Sequence, residues 1–288
     1  MTFEYVVPGS VAEACDLLER GGPGAHALAG GTALMLLYKQ GLLRPVSVVG
    51  LSRLAELRGV RRLAGGGLWL GAMTTHRAIE AHPDVAGFSP ALAKAFASVA
   101  TIRIRNQATI GGNLAHADPA QDPPPMLLAF DAEVEIAHGA ARRVLPLGEL
   151  FRDVFETALS PGELIVGIRL PPLPAGARAT YLKFLPRTED DYATVSVAAR
   201  LAVAEDGRCT DARVCLGSVG STPVRSQAVE RALVGQPLTD RVLAEAAALV
   251  VGDIDPFDDV RGTASYKRRM AEVCTRRALA EIAPPMAH

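Results

Sequence analysis

The stretch Ala108-Thr109-Ile110-Gly111-Gly112-Asn113-Leu114-Ala115-His116-Ala117-Asp118-Pro119-Ala120-Gln121-Asp122 decides how this chain is read. A bare pair of glycines lets the backbone approach a ligand without a side chain in the way, and such a concavity suits a phosphate or pyrophosphate. Thr109 and Asn113 can hydrogen-bond sugar or phosphate oxygens, and Asp122, an acceptor when ionised, suits the hydroxyls of a polyol or ribose. A second glycine turn lies at Ala27-Leu28-Ala29-Gly30-Gly31-Thr32-Ala33-Leu34, read as a short apolar strand, a turn and a helix start capped by Thr32. Free amides and the positive end of a helix dipole there would also favour an anion. Two such turns can grip one long diphosphate, so nucleotide chemistry is expected, the alternative being two ordinary glycine turns.

The rest of the composition narrows the class. The 288 residues are 49% hydrophobic and 21% charged, as in a globular protein with a sizeable core. A formal net charge of −1 gives no electrostatic case for nucleic acid. The basic run Lys267-Arg268-Arg269, followed by Arg276-Arg277, is read as a solvated helix face. Met1-Thr2-Phe3-Glu4-Tyr5 has no basic segment leading into an apolar core, and no apolar run reaches membrane-spanning length, so a cytoplasmic protein without membrane insertion is expected.

The four cysteines, Cys15, Cys209, Cys215 and Cys274, contain no C-x-x-C and match neither an iron–sulfur nor a structural zinc spacing. Buried free thiols are expected. His116, Asp118 and Asp122 could be drawn as a metal set, but Pro119 and Pro123 to Pro125 give no regular ligand face, so no metal site is assigned. No G-x-G-x-x-G stands between a strand and a helix, which argues against a nicotinamide-binding Rossmann domain.

Taken in order, a helix is expected from Val11 to Glu19 with Ser10 as its N-cap, then a strand at Ala25 to Ala29, a helix through Tyr38 and Lys39 closed by Gly41, and a strand at Val46 to Val49. These form a small β-α-β-α-β layer. Leu68 to Ala72 reads as a strand, with Thr74 or Thr75 capping a short helix through Ile79. Pro90 to Val99 reads as a helix, Ile102 to Asn106 as an extended approach to the main motif, and Met126 to Phe130 as a buried helical turn. Glu133 to Ala137, Arg142 to Leu145 and Leu164 to Leu170 alternate like antiparallel strands.

Leu170-Pro171-Pro172-Leu173-Pro174-Ala175-Gly176 cannot continue a strand ladder, which puts a domain boundary there. Beyond it come strands at Ala179 to Leu185, Thr194 to Val203 and Ala212 to Ser218, with a turn at Asp206-Gly207. Helices at Ser226 to Val234, Asp240 to Val251 and Ser265 to Ile282 follow. The expected class is therefore α+β.

The chain resembles the FAD-binding medium subunit of the molybdenum hydroxylases, the family of aerobic carbon monoxide dehydrogenase and xanthine dehydrogenase. The motifs that carry the likeness are Ala29-Gly30-Gly31-Thr32, Gly71-Ala72-Met73-Thr74, Arg105-Asn106-Gln107 running into Ala108 to Pro119, and Lys183 with Asp191-Tyr192-Ala193. The resemblance spans Phe3 to Leu279. It implies a two-subdomain FAD-binding fold, a small α/β subdomain (about 1–57) plus an antiparallel-sheet subdomain (58–174), followed by a C-terminal flavoprotein domain (175–288).

It also implies that Leu28, Ala29, Gly30, Gly31, Thr32, Ala33 and Leu34 clasp the FAD diphosphate and ribityl chain from one side. Thr109, Ile110, Gly111, Gly112 and Asn113 would clasp them from the other. By the same match Asp122 binds the ribityl or nearby hydroxyls, Ile165 lines the cofactor pocket, Lys183 sits near the isoalloxazine and Tyr192 packs against it. Two positions depart from the family: Gly50 replaces a commonly polar residue, and Val99 offers no aromatic ring where xanthine dehydrogenase has one.

The implied role is an electron-transfer flavoprotein with no catalytic acid or base of its own. Its partners would be an iron–sulfur small subunit and a molybdenum-cofactor large subunit, in a heterotrimer or its dimer. The alternatives are a stand-alone FAD oxidase or reductase, for which Arg187-Thr188-Glu189-Asp190-Asp191 would have to furnish substrate contacts, and a nucleotide-binding scaffold without redox chemistry.

Overall fold

A computed structural model describes residues 3–185, 188 and 190–284. The chain opens with β1 (Glu4–Val6), α1 (Val11–Gly21), β2 (Ala25–Leu28), α2 (Leu34–Lys39) and β3 (Ser47–Gly50), whose strands form a parallel sheet in the order β1-β3-β2. Ser10 caps α1 by accepting from the Glu13 amide, and Val11, Ala14, Cys15 and Leu18, spaced for one helical face, are buried. That face lies on Ala137, Leu164 and Val166 of the neighbouring sheet. Gly50, which departs from the family, has a local reason: a methyl group there would strike the ring of Tyr5.

The next elements are β4 (Val60–Arg62), β5 (Leu68–Gly71), α3 (His76–Glu80), α4 (Pro83–Phe88), α5 (Pro90–Ala97), α6 (Ile102–Arg105), α7 (Ile110–His116) and α8 (Pro123–Ala129). They are followed by β6 (Glu133–His138), β7 (Ala141–Pro146), β8 (Phe151–Asp153), β9 (Glu156–Thr157) and β10 (Glu163–Leu170). Five strands make an antiparallel sheet, β4-β5-β10-β6-β7, while β8 and β9 form a separate hairpin. The helices cover one face of the five-stranded sheet, with Phe96, Ile110, Leu114, Met126 and Phe130 in the joint core.

The proline-rich run leads into β11 (Arg178–Phe184), β12 (Val195–Val203), β13 (Cys209–Gly217) and β14 (Val224–Arg225), a four-stranded antiparallel sheet. The helices α9 (Gln227–Leu233), α10 (Asp240–Ala248) and α11 (Ala264–Ile282) back it. The α+β class holds. Alternation along β11 sends Tyr181 into the core shared with α8 and Leu182 and Phe184 toward the helices behind. All four cysteines are buried free thiols, as their spacing suggested.

Four local expectations need correction. Thr32 does not cap α2: the helix starts at Leu34 behind Ala33, with no side-chain cap. Ile102 to Arg105 is helical, not extended; the alternation Ile-Arg-Ile-Arg imitates a strand, but Thr101 accepts from the Ile104 amide and starts a turn instead. Arg105 ties that turn down by donating to the carbonyls of Val99 (2.9 Å) and Ala100 (2.7 Å). The helical turn expected from Met126 to Phe130 starts earlier, at Pro123, because the first helical turn has no use for the N–H groups that Pro123 to Pro125 lack. Lys267 is not on a solvated face: it is 2% exposed and pairs with Asp259 at 2.8 Å and the Phe257 carbonyl at 3.0 Å.

Candidate functional site

The two glycine turns meet. Gly30 lies so close to the backbone of Gln107 and Ala108 that a methyl group there would overlap the Gln107 carbonyl, and a methyl at Gly112 would sit 3.4 Å from Ala29 Cβ. Gly31 adopts φ +75°, a left-handed conformation that glycine takes without strain. The crease opens into a cavity of about 400 Å³ lined by Leu28 to Thr32, Met35, Leu36, Lys39 and Gln107. Ala33 and Leu34 lie behind it, in the start of α2.

The second turn is an N-terminal helical turn rather than a loop. Thr109 is the N-cap of α7, and its Oγ1 accepts from the Gly112 amide at 3.2 Å. Ile110 and Gly111 donate to the carbonyls of Thr74 and Ala72, and Asn113 donates its amide to Thr109 O. The backbone donors here are thus committed within the protein. What the turn offers a ligand is the bare Cα surface of Gly112 and the side chain of Asn113, whose buried Oδ1 has no partner among the described residues. An orphaned acceptor beside a backbone surface that a Cβ would fill suits a donor such as a hydroxyl of a sugar or polyol chain.

From α7 the chain turns at Ala117 (φ +51°) and runs through Asp118 to a second cluster. Asp122 is 4% exposed, yet both its oxygens are engaged: Tyr181 donates to Oδ1 at 2.7 Å and Lys183 to Oδ2 at 3.0 Å. Burial pushes the Asp122 carboxyl up to about 6, against the opposing pull of Lys183 and Tyr181. Lys183 also donates to the Ser98 carbonyl at 2.8 Å, which fastens the segment after α5 to the C-terminal sheet. At Val99, the second departure from the family, the backbone carbonyl accepts from Arg105 and the N–H donates to the Phe96 carbonyl.

Tyr192 is half-exposed, with the Arg261 guanidinium 5.1 Å from its ring centre. Burial of its hydroxyl, with Asp118 and Asp122 nearby, pushes its phenol up to about 12. Ile165 lies in β10 under α7, at the bulge before Gly167, and packs in the main core. Of the acidic stretch considered for substrate contacts, Arg187 and Glu189 lie outside the described residues, and Asp191 pairs with Arg261 at 3.4 Å.

The sequence reading missed Tyr181, Ser98, Lys39, Met35 and Gln107. Strand alternation could have found Tyr181, since residues two apart share a face and Lys183 was already in view. Met35 and Lys39 follow the glycine turn at one helical spacing, and Gln107 directly precedes the main motif.

Residues 1–173 match the family model described as the FAD binding domain in molybdopterin dehydrogenase, and residues 180–282 the CO dehydrogenase flavoprotein C-terminal domain. The chain is 36% identical to the 6-hydroxypseudooxynicotine dehydrogenase complex subunit alpha of Paenarthrobacter nicotinovorans, over 97% of this chain and 94% of that protein. It is 34% identical to the carbon monoxide dehydrogenase medium chain of Afipia carboxidovorans, over 96% of each. Among solved structures, the reconstituted CO dehydrogenase from Oligotropha carboxidovorans superposes with a TM-score of 0.93 at 34% identity, over 98% of each chain. Quinoline 2-oxidoreductase from Pseudomonas putida 86 gives 0.91 at 32%, over 98% of this chain and 97% of that one. The cradle, the orphaned amide and these matches over nearly the whole chain lead to one assignment: this chain belongs to the FAD-binding medium subunits of the molybdenum hydroxylases, the flavoprotein subunits of oxidoreductases like CO dehydrogenase.

Proposed function

We propose that this chain carries electrons from the iron–sulfur clusters of a small partner subunit to an external acceptor, the clusters being filled from a molybdenum cofactor on a large subunit. FAD, when bound, would supply the redox chemistry. The polypeptide grips, orients and tunes. In this reading residues 28–34 and 109–113 hold the diphosphate and ribityl chain, with Gly30, Gly31 and Gly112 giving backbone access and Asn113 a hydrogen-bonding amide. Asp122 and Lys183 set the charge beside the isoalloxazine, Tyr192 covers it and Ile165 closes the pocket from below.

The observation that carries the proposal is the packing of Gly30 on Gln107, which brings two separate glycine motifs together beside a cavity lined by the first turn and Gln107. The same reading divides the chain into an FAD-binding domain, 1–174 (subdomains about 1–57 and 58–174), and a C-terminal flavoprotein domain, 175–288. The holoenzyme would be a cytoplasmic heterotrimer or its dimer. Its substrate is bound by the large subunit, so the carbon monoxide, N-heterocycle and aldehyde chemistries named for the relatives bear on that chain and not on this one.

The deciding experiment is an absorption spectrum of the purified chain before and after incubation with FAD, with released cofactor identified and iron and molybdenum assayed. Flavin bands with FAD recovered and neither metal present support the division of labour. A chain that stays colourless and gains no thermal stability in excess FAD overturns the FAD site, because a ligand that binds the native state must stabilise it. Iron–sulfur or molybdenum content in this chain overturns the division.

A further inference from the structure

Beneath the proposed ring site, β11 directs two side chains to the same carboxylate. Tyr181 and Lys183 are two residues apart and share a face of the strand, and Asp122 is held at the entrance to α8 by the prolines that follow it. Lys183 has three N–H bonds, two of which go to Asp122 Oδ2 and Ser98 O. The third makes no bond to another described residue, and the side chain is only 6% exposed. Its direction depends on Asp122 remaining an anion, since a protonated carboxyl is a much weaker partner for an ammonium group.

We infer that Tyr181 is a positioning residue for the flavin, its hydroxyl keeping Asp122 ionised and so aiming Lys183 at the isoalloxazine. This rests on the FAD reading above. Tyr181 is fully buried, with its oxygen 2.7 Å from Asp122 Oδ1, and burial holds its phenol well above the ordinary value, so it remains a donor through the neutral range and never exchanges roles with the carboxylate. The charged and titratable groups acting on Asp122 are Lys183 and Tyr181 from β11 and, beyond them, Tyr192. With Lys183 kept, Tyr181 is the group whose removal changes the charge of Asp122 without adding or deleting a charged side chain.

The test uses the full chain and Tyr181→Phe, which deletes one oxygen. FAD dissociation constants are measured by fluorescence from pH 5 to 9. In the wild type, affinity should weaken as pH falls through about 6, where Asp122 takes up its proton. Losing one hydrogen bond to an ionised group moves such a midpoint up by about one to two pH units. The variant should therefore bind FAD roughly fivefold more weakly at pH 7 and like the wild type at pH 9. The midpoint potential of bound FAD should be more positive than wild type at pH 7, because a negative charge nearby has been neutralised, and equal at pH 9.

A loss of affinity uniform across pH, with no shift in midpoint, would reduce Tyr181 to a core residue and overturn the inference. Should Tyr181→Phe fold poorly, Tyr181→Phe/Asp122→Asn is compared with Asp122→Asn alone. If Tyr181 acts through the Asp122 charge, the two bind FAD within about twofold of each other; a further large loss in the double variant overturns it. A wild-type chain that binds no FAD at any pH overturns the FAD reading itself, whereas a wild type that binds while the variants show no pH shift overturns this inference alone.

Discussion

At the glycine crease the surface offered to a ligand is backbone, contributed by Gly30, Gly31 and Gly112 within a few residues of their motifs; at Asp122 it is side chain, assembled from the entrance of α8, from β11 and from the carbonyl of Ser98. Backbone recognition depends on an atom being absent, so glycine records it in the sequence. The polar cluster depends on three segments arriving at one point. Disrupting the first should close the site, whereas disrupting the second should leave the site open with altered charge. Gly30→Val is the severest way to break the comparison. Its side chain would be driven into the Gln107 carbonyl, parting the two turns, and we expect FAD affinity to fall more than about 100-fold with a stability loss of at least about 2–3 kcal/mol. Isothermal titration and thermal melts check both, and near-normal FAD retention would remove Gly30 from the cradle.

The polar cluster responds to pH where the cradle does not. Asp122 has its carboxyl raised from 3.8 to about 6 by burial, so between those values the native state holds a proton that the unfolded chain releases. The Asp122 contribution to stability is therefore full below about pH 4 and is lost as pH rises through 6. A two-unit shift corresponds to about 3 kcal/mol. The apo wild type should lose stability relative to Asp122→Asn between pH 4 and 7, and parallel curves would show that Asp122 titrates normally. Ionised Asp122 costs stability at the pH where the proposed site works, a common relation between strain and function.

This contrast also explains what was legible. The glycine turns, the α1 face at Val11, Ala14, Cys15 and Leu18, and the proline break after Leu170 are local patterns, and each is found where sequence reasoning put it. Ile102 to Arg105 misled because four alternating residues carry no decisive period, and the cap at Thr101 outweighed them. Lys267 reads as surface in a basic run until Asp259 and Phe257 fold against it. Tyr181 touches Asp122 across 59 residues of sequence, beyond the reach of any local pattern.

Asn113 lies between the two regimes, being a side chain that belongs to the backbone cradle. Its Oδ1 is buried without a partner, so Asn113→Ala should leave apo stability unchanged or slightly higher while weakening FAD by roughly tenfold, or about 1–2 kcal/mol. A drop in apo stability with unchanged FAD affinity would show that the amide serves the fold instead.

The smallest expected effect separates two threonines that look alike in sequence, each following or preceding a glycine pair. Thr109 Oγ1 accepts the Gly112 amide and caps α7, whereas Thr32 lines the cavity and caps nothing. Thr109→Ala should cost about 1 kcal/mol in the apo protein, the usual consequence of losing an N-cap. Thr32→Ala should cost under about 0.5 kcal/mol there and appear only as a few-fold weaker grip on FAD. Chemical denaturation with and without FAD distinguishes them. Equal apo losses would mean that Thr32 supports its turn after all, and that the first cradle, like the second, is built by a capping side chain rather than by backbone alone.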